Sequence, residues 1–282
     1  MKELRGMPVV NSLLEKFATE IEELKNSKIV PKLAVIRVGA REDDLAYERG
    51  IKKRFAAVEA CAETIELPVD VTQEELEATI QRMNRDEMVH GIMIFRPLPK
   101  HLSEGRIKDL IDERKDVDCM SSANNAHVFV GDKRGYPPCT PQAVMELLDY
   151  YGIELQGKKV VVVGRSMVVG RPLAMLLLSK NATVTICHTK TANLQEECKN
   201  ADIILACAGV AKMINENYVS QNQVIIDVGI NMDGDKLCGD VDFDQVCEKV
   251  EAITPVPGGI GTVTTSVLLK HTILSAKCEK IY

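Results

Sequence analysis

The chain has 282 residues, of which 45% are hydrophobic, so it is long enough to form two domains with sizeable cores. Its net charge of −6 argues against a nucleic-acid-binding protein, because such proteins carry a basic surface. No apolar run reaches the length of about 18 residues that a membrane span needs, and residues 1–17 lack the apolar core of a signal peptide. We therefore expect neither nucleic acid nor a membrane as a partner.

The nine cysteines are odd in number and scattered, and no C-x-x-C motif occurs. This pattern is typical of reduced thiols in the cytoplasm rather than of a disulfide framework or a zinc site. We therefore expect a cytoplasmic protein without a metal site.

The predicted elements of the first half alternate between helices and strands. Amphipathic periodicity predicts helices over residues 11–25, 43–62, 73–83 and 140–151. Apolar runs predict buried strands over residues 32–38 and 91–95.

The second half repeats this alternation, with strands predicted over residues 160–163, 183–187, 203–206 and 224–228 and a last helix over 264–276. Strands that alternate with helices indicate an α/β fold with parallel sheets. Two glycines and two prolines in residues 131–138 indicate a domain boundary. We therefore predict one domain over residues 1–138, a second over 139–262, and a return of residues 263–282 to the first domain.

The segment KKVVVVGRSMVVGRP, residues 158–172, carries the strongest single signal. A buried valine strand runs into Gly164, and a helix is predicted to begin near Gly170. In a Rossmann-type unit such a turn lets backbone amides approach a phosphate at the start of the helix. The spacing departs from G-x-G-x-x-G, so the motif alone leaves dinucleotide binding and an ordinary strand-to-helix turn equally open.

The end of the next predicted strand favours NADP over NAD. The residues there are His188-Thr189-Lys190-Thr191, without the carboxylate that would bind the ribose hydroxyls of NAD. Thr189 and Lys190, together with Arg165 and Ser166, could hold a 2′-phosphate through charge-assisted hydrogen bonds. The alternative for Lys190 is a solvated loop lysine.

Short motifs in a fixed order now identify a family. They are KDVD (115–118), PCTP (138–141), VVVGRSMVVGRP (161–172), CHTKT (187–191), DVGIN (227–231), GDVDF (239–243) and TPVPGGIG (254–261), with Pro97-Leu98-Pro99 after a buried strand. The chain resembles methylenetetrahydrofolate dehydrogenase/cyclohydrolase. The resemblance implies an N-terminal α/β folate domain, a Rossmann-type NAD(P)-binding domain, a cleft between them, tetrahydrofolate derivatives as substrates and a homodimer. It also adds Ile230 to the cofactor-binding residues Gly164, Arg165, Ser166, Thr189 and Lys190.

The same resemblance implies roles for residues of the folate site. Tyr47 would stack on the folate and Asp118 would hold the pterin ring, while Pro257-Gly258-Gly259 would form a wall against folate and nicotinamide rather than only a tight turn. The family's lysine, one helical turn after the tyrosine, falls on Ile51 here, and the glutamine that orients it falls on Phe95. Both changes replace a polar residue by an apolar one.

The loss of the lysine and the glutamine should affect the dehydrogenase and the cyclohydrolase reactions differently. Oxidation of a methylene group between two nitrogens expels a hydride without proton transfer, whereas hydrolysis of the methenyl product needs general acid–base catalysis. We therefore predict an NADP-dependent dehydrogenase with weak cyclohydrolase activity. Two alternatives stay open: a fully bifunctional enzyme in which Lys53 or Arg96 substitutes for the lysine, and an inactive folate- or nucleotide-binding regulator.

Other candidate residues are interpreted as structural. Cys119 follows Asp118 where the family usually has glycine, and we interpret it as a small packed side chain rather than a nucleophile. The remaining candidates share no metal-ligand or triad spacing: His127, His188 and His271.

Overall fold

The computed structural model of this protein describes residues 1–132 and 134–277, which divide into two units. The three-stranded unit contains residues 12–139 and the chain from Thr265 onward. The six-stranded unit contains residues 1–11 and 140–264. Both units are α/β, and the predicted α/β class with two domains is confirmed.

The elements follow one another along the chain in the predicted alternation. The helices are α1 (Gly6–Asn26), α2 (Glu42–Ala56), α3 (Gln73–Arg85), α4 (Glu104–Ile107), α5 (Ser122–Val130), α6 (Cys139–Tyr150), α7 (Gly170–Ser179), α8 (Leu194–Lys199), α9 (Phe243–Val246) and α10 (Thr264–Ala276). The strands are β1 (Lys2–Glu3), β2 (Lys32–Val38), β3 (Cys61–Leu67), β4 (Gly91–Ile94), β5 (Lys159–Val163), β6 (Thr183–Cys187), β7 (Ile203–Ala206), β8 (Val224–Asp227), β9 (Asn231–Asp233), β10 (Lys236–Cys238) and β11 (Ala252–Ile253). All six predicted strands are confirmed to within one residue at each end.

The three-stranded unit is built on a parallel sheet in the order β3-β2-β4. Strand β2 lies in the centre and reads as an almost continuous apolar run because both of its faces are covered. Helix α3 packs Leu76, Ile80 and Met83 against one face of this sheet. Thr72 and Glu75 form a reciprocal capping box that fixes where α3 begins.

The predicted helix over residues 43–62 is wrong at its end. Helix α2 ends at Ala56, and residues 61–67 form β3 instead. The chain reverses through hydrogen bonds from the amides of Val58 and Ala60 to the carbonyl of Phe55, with Glu59 in the left-handed region at φ 59°. Neither glycine nor proline marks this turn, so the sequence lacks the usual signal for it.

The six-stranded unit contains a parallel sheet in the order β1-β11-β8-β7-β5-β6. Val160–Val163 of β5 pair with β6 on one side and β7 on the other, so this strand is buried. Strands β9 and β10 form a separate antiparallel hairpin. The carboxyl ends of β5, β6, β7 and β8 lie along one edge of the sheet, where doubly wound folds bind their ligands.

The units of the structure differ from the predicted range of 1–138 for the first domain at the beginning of the chain. Residues 1–11 group with the six-stranded unit because Lys2 and Glu3 pair in parallel with Ala252 and Ile253. A two-residue strand carries too little pattern to be recognised in a sequence.

Candidate functional site

Helix α2 carries Tyr47 and Ile51 one turn apart on the same face. The Tyr47 ring packs edge-on against Phe95, which directly follows β4, with 6.1 Å between ring centroids and 84° between ring planes. Ile51 is completely buried and Phe95 is only 7% exposed. The positions of the family's lysine and glutamine are therefore filled by core side chains, one of which supports the tyrosine ring.

A buried ion pair fastens α2 to the sheet beside Tyr47. The carboxylate of Glu48 accepts hydrogen bonds from Arg37 Nε at 2.9 Å, Lys52 Nζ at 2.6 Å and Thr64 Oγ1 at 2.8 Å. Arg37 also contacts Glu66, with 3.0 Å between Nη2 and Oε1. Burial alone would raise the pKa of Glu48, but the bonds from Lys52, Thr64 and Arg37 prevail and lower it to about 2. No local sequence pattern indicates this network, because its members come from separate strands and a helix.

The two candidate substitutes for the missing lysine have different surroundings. Lys53 is exposed on α2. Arg96 is half-buried directly after Phe95, and its positive charge acts on the carboxyl group of Asp118. The main chain of Arg96 is held by a 3.2 Å hydrogen bond from Arg41 Nη2 to its carbonyl oxygen. Arg96, rather than Lys53, is therefore associated with the predicted folate-binding carboxylate.

Asp118 lies within a turn that its neighbour Asp116 organises. The buried Asp116 carboxylate accepts hydrogen bonds from the amides of Met120 and Ser121, both at 2.8 Å, and from Asn124 Nδ2 at 2.9 Å. Asp118 Oδ1 accepts a 3.3 Å hydrogen bond from the Cys139 amide. Burial raises the pKa of Asp118, against the opposing effects of Cys139 and the Arg96 charge.

The residue before Asp118 is held by the carboxyl-terminal helix. His271 of α10 lies with Nδ1 2.8 Å from the carbonyl oxygen of Val117, and the Cys139 thiol donates to the same oxygen at 3.5 Å. His271 is buried and its ring lies 5.3 Å from that of Tyr136. These contacts support a positioning role for His271, which shares no metal-binding or catalytic cluster with His127 or His188.

Cys119 has a left-handed backbone conformation, at φ 57°. Side chains with a Cβ atom disfavour this region, which gives a physical reason for glycine at this position in the family. The thiol is buried, and burial together with the charges of Asp116 and Asp118 raises its pKa far above the usual value. A thiol in this state is a poor nucleophile, which supports the interpretation of Cys119 as a packed side chain.

The glycine loop follows β5 in the six-stranded unit. Gly164 has φ 142°, and a Cβ atom on it would collide with the carbonyl oxygen of Cys207. The Ser166 hydroxyl accepts hydrogen bonds from the amides of Val169 at 3.0 Å and Gly170 at 3.4 Å, so it holds the residues that lead into α7. Arg165 is exposed beside it. The backbone at Gly164 therefore carries no side chain that would keep a phosphate away. Ser166 also stabilises the loop itself through its two hydrogen bonds.

The turn after β6 displays the residues predicted to select the cofactor. The His188 amide donates to Thr191 Oγ1 at 2.8 Å, and the Lys190 amide donates to His188 Nδ1 at 3.1 Å. Thr189 and Lys190 are exposed. Val163 and Cys187 pair in register, so Arg165 and this turn follow neighbouring strand ends.

The segment Pro257-Gly258-Gly259 belongs to the same unit. The Gly258 carbonyl accepts a 2.8 Å hydrogen bond from the Gly6 amide, and Pro257 is exposed. Ile230 is 65% exposed, and its Cδ1 atom lies 3.5 Å from where a Cβ atom of Gly261 would be. Ile230 therefore lies close to Gly261, two residues beyond this segment.

The structure thus brings Tyr47, Phe95, Arg96 and Asp118 into one unit, and the candidate cofactor residues with Ile230 and Pro257 into the other. Within residues 1–132 and 134–277, no three histidine, cysteine, aspartate or glutamate side chains are arranged to hold a metal ion. Across the same described residues, no helix combines the length and apolar character that crossing a membrane requires.

Comparison with known proteins gives matches along nearly the whole chain. Residues 4–118 match the family model for the tetrahydrofolate dehydrogenase/cyclohydrolase catalytic domain, and residues 138–280 match the model for the NAD(P)-binding domain of the same family. The chain is 52% identical over 277 residues to a protein named bifunctional protein FolD from Clostridioides difficile (strain 630), covering 98% of this chain and 96% of that protein.

Two solved structures show the same likeness. The FolD methylenetetrahydrofolate dehydrogenase/cyclohydrolase of Campylobacter jejuni is 38% identical, with a TM-score of 0.96 over 99% of each chain. The Trypanosoma brucei methylenetetrahydrofolate dehydrogenase-cyclohydrolase, solved with NADP and an inhibitor, is 35% identical, with a TM-score of 0.91 over 97% of this chain and 96% of that one.

Proposed function

The chain belongs to the tetrahydrofolate dehydrogenase/cyclohydrolase family, and from this premise we propose that it oxidises methylenetetrahydrofolate to methenyltetrahydrofolate with NADP. The three-stranded unit holds the folate and the six-stranded unit holds the cofactor in this proposal. The observation that carries it is the retained pair of Tyr47, supported edge-on by Phe95, and Asp118, a partly buried carboxyl group on which the Arg96 charge acts. An aromatic face and a hydrogen-bonding carboxyl are what a flat, nitrogen-rich pterin ring requires.

The glycine loop fits a dinucleotide. Its fit rests on Gly164, where the nearby Cys207 carbonyl leaves no room for a side chain, and on the positive end of the α7 dipole, which favours a phosphate. Arg165, Thr189 and Lys190 are exposed at two neighbouring strand ends and offer a cation pair and a hydroxyl for a 2′-phosphate.

In the oxidation step the main role of the protein is to position the folate against the cofactor. NADP, when bound, supplies the acceptor for the hydride. Tyr47 and Asp118 orient the pterin so that the methylene carbon faces the acceptor, and the departing hydride leaves an amidinium cation delocalised over two nitrogens. No side chain has to take up a proton in this step, so the apolar pair Ile51 and Phe95 is compatible with it.

Asp118→Ala tests the folate site. We expect the KM for methylenetetrahydrofolate to rise about tenfold or more, because two pterin donors lose their acceptor, while NADP affinity is unchanged. Reduced-cofactor absorbance gives the turnover and calorimetry gives the NADP affinity. A variant that loses thermal stability but keeps folate affinity would show that Asp118 only supports the turn through the Cys139 amide. Failure of the unaltered protein to reduce NADP, with folate binding intact, would favour an inactive regulator.

Arg165→Ala tests the cofactor preference. We expect kcat/KM for NADP to exceed that for NAD in the unaltered protein, and the variant to lose about tenfold for NADP alone. Lys180→Ala removes another exposed cation, after the last residue of α7, and should leave both values unchanged. A preference for NAD in the unaltered protein would contradict the NADP assignment.

A second activity is favoured by the comparisons, since the Clostridioides difficile and Campylobacter jejuni relatives carry the name bifunctional. We propose that cyclohydrolase activity is present but slower than the dehydrogenase. The family's lysine position is the buried Ile51, and the Lys52 ammonium is bonded to Glu48. Arg96 can stabilise charge near Asp118, but a guanidinium stays protonated and is a poor general base.

The double variant Ile51→Lys with Phe95→Gln tests this proposal. It should raise methenyltetrahydrofolate hydrolysis, and Ile51→Lys alone should raise it less because a buried ammonium without an orienting partner is costly. Arg96→Ala and Lys53→Met form the matched pair of cation deletions, of which we expect only Arg96→Ala to lower hydrolysis. Hydrolysis as fast as dehydrogenation in the unaltered protein would contradict the proposed imbalance.

We also propose a homodimer, which the family relationship alone supports. Light scattering should then give twice the chain mass of 31.1 kDa. A monomer at micromolar concentration would contradict it.

A further inference from the structure

Two buried carboxylates of the six-stranded unit have no part in the proposed chemistry. Asp240 is completely buried, and its carboxylate accepts hydrogen bonds from three successive amides, those of Ala208 at 2.6 Å, Gly209 at 2.9 Å and Val210 at 3.0 Å. Asn231 Nδ2 donates a fourth at 2.8 Å. A surface loop with three amides bound to one buried anion is fixed in place.

Asp227, the last residue of β8, completes the arrangement. Its carboxylate accepts from the amides of Gly229 at 2.9 Å, Asp240 at 3.0 Å and Val241 at 2.9 Å. Asp227 therefore binds the segment that carries Asp240. Asp240 in turn binds Asn231, which lies in the segment that joins the two aspartates. We name Asp227 and Asp240 together the carboxylate clasp.

The two glycines beside the clasp show how closely its parts fit. A Cβ atom on Gly229 would collide with Asp240 Oδ1, and one on Gly239 would collide with Asp227 Oδ2. These positions explain the glycines of the DVGIN and GDVDF motifs by contact with a carboxylate.

The clasp holds the loops that follow β7 and β8. The β7 loop begins at Cys207, whose carbonyl oxygen faces Gly164, and the β8 loop carries the exposed Ile230. Strand β7 lies on the side of β5 opposite to β6. In a Rossmann-type sheet the adenosine is read at the end of the second strand, here β6, so the other end of a dinucleotide extends toward β7 and β8.

We propose that Asp240 is a positioning residue for the nicotinamide half of the cofactor site, acting through the loops Cys207–Val210 and Val228–Asn231. It does not touch the cofactor. Its carboxylate fixes the amides and side chains of these loops before the cofactor binds, so that binding does not have to order them. This inference rests on the proposed use of NADP by the six-stranded unit.

Asp240→Asn is the deciding variant, because it keeps the side-chain shape but presents an amide N–H group to backbone N–H groups. Calorimetry would measure binding of NADPH and of adenosine 2′,5′-bisphosphate, which lacks the nicotinamide half. We expect the NADPH dissociation constant to rise about tenfold or more and that of the bisphosphate to stay unchanged. The exposed residue Asp244 supplies the control, Asp244→Asn, which should alter neither constant.

The other outcomes would overturn the proposal. Equal weakening of both ligands would mean that Asp240 only stabilises the unit, and unchanged NADPH binding would mean that the loops need no anchor. If Asp240→Asn does not fold, Asn231→Ala removes one of the four bonds; NADPH binding about threefold weaker would support the proposal, and an unchanged constant would overturn it. An unaltered protein that binds neither ligand would refute the proposed cofactor site, and this inference with it.

Discussion

At the scale of single residues, Ser266 in α10 is a buried hydroxyl whose Oγ atom makes no hydrogen bond within the described part of the chain. Such a group loses its water without compensation. We expect Ser266→Ala to raise the free energy of unfolding by about 1 kcal/mol. Thr272→Val is the control, because Thr272 Oγ1 donates to the Leu268 carbonyl at 2.8 Å and its loss should not stabilise. Urea unfolding measures both, and a less stable Ser266→Ala would contradict the prediction.

Cys119 offers a second prediction at this scale, since its φ of 57° is costly for any residue with a Cβ atom. We expect Cys119→Gly to be about 1 kcal/mol more stable than Cys119→Ala, because both remove the thiol and only glycine relieves the backbone. Thermal unfolding of the two variants gives the comparison directly. Equal stability would show that the turn relaxes around an alanine.

At the scale of elements, α2 is attached to its sheet by Glu48, whose pKa is lowered to about 2. A carboxylate with a lowered pKa stabilises the fold at neutral pH, and this contribution is lost as the pH falls from about 4.5 toward 2. Allowing for screening around the half-exposed Lys52, we expect Glu48→Gln to lose about 2 kcal/mol at pH 7. The variant should also show a flatter decline in unfolding free energy across that acidic range. A parallel decline in both proteins would contradict this assignment.

The same helix shows how far elements can be predicted from sequence. Its beginning follows from the apolar and acidic pattern, but its end depends on Glu59 in a left-handed turn without glycine. Strand β3 is not predicted because it lies at a sheet edge, where the exposed residues Glu63 and Glu66 are three positions apart and so follow a helical rather than an alternating spacing. In the site, motifs located Tyr47, Asp118 and the glycine loop, whereas the Glu48 network and the anchor from His271 join residues remote in sequence, which no local pattern encodes.

For the whole molecule, the thiols give a prediction about accessibility. Cys61 is exposed, while a buried group consists of Cys119, Cys139, Cys187 and Cys198. Burial raises the pKa of these buried thiols, that of Cys198 to about 12. We expect a thiol reagent to modify Cys61 at least about 100-fold faster than this group, which must wait for local opening. Mass spectrometry after timed labelling, with a urea-denatured control, checks the order; rapid labelling of Cys139 would contradict it.

The pairing of β1 with β11 has a consequence for the newborn chain. Lys2 is translated 250 positions before its partner Ala252, and α10, whose His271 anchors Val117, follows later still. At about 5–20 residues per second, the segments waiting for these partners stay incomplete for tens of seconds. Neither unit can therefore reach its final form until these partners have been translated. Variants that weaken the β1–β11 contact should reduce the yield of folded protein in cells more than they reduce the stability of the finished enzyme.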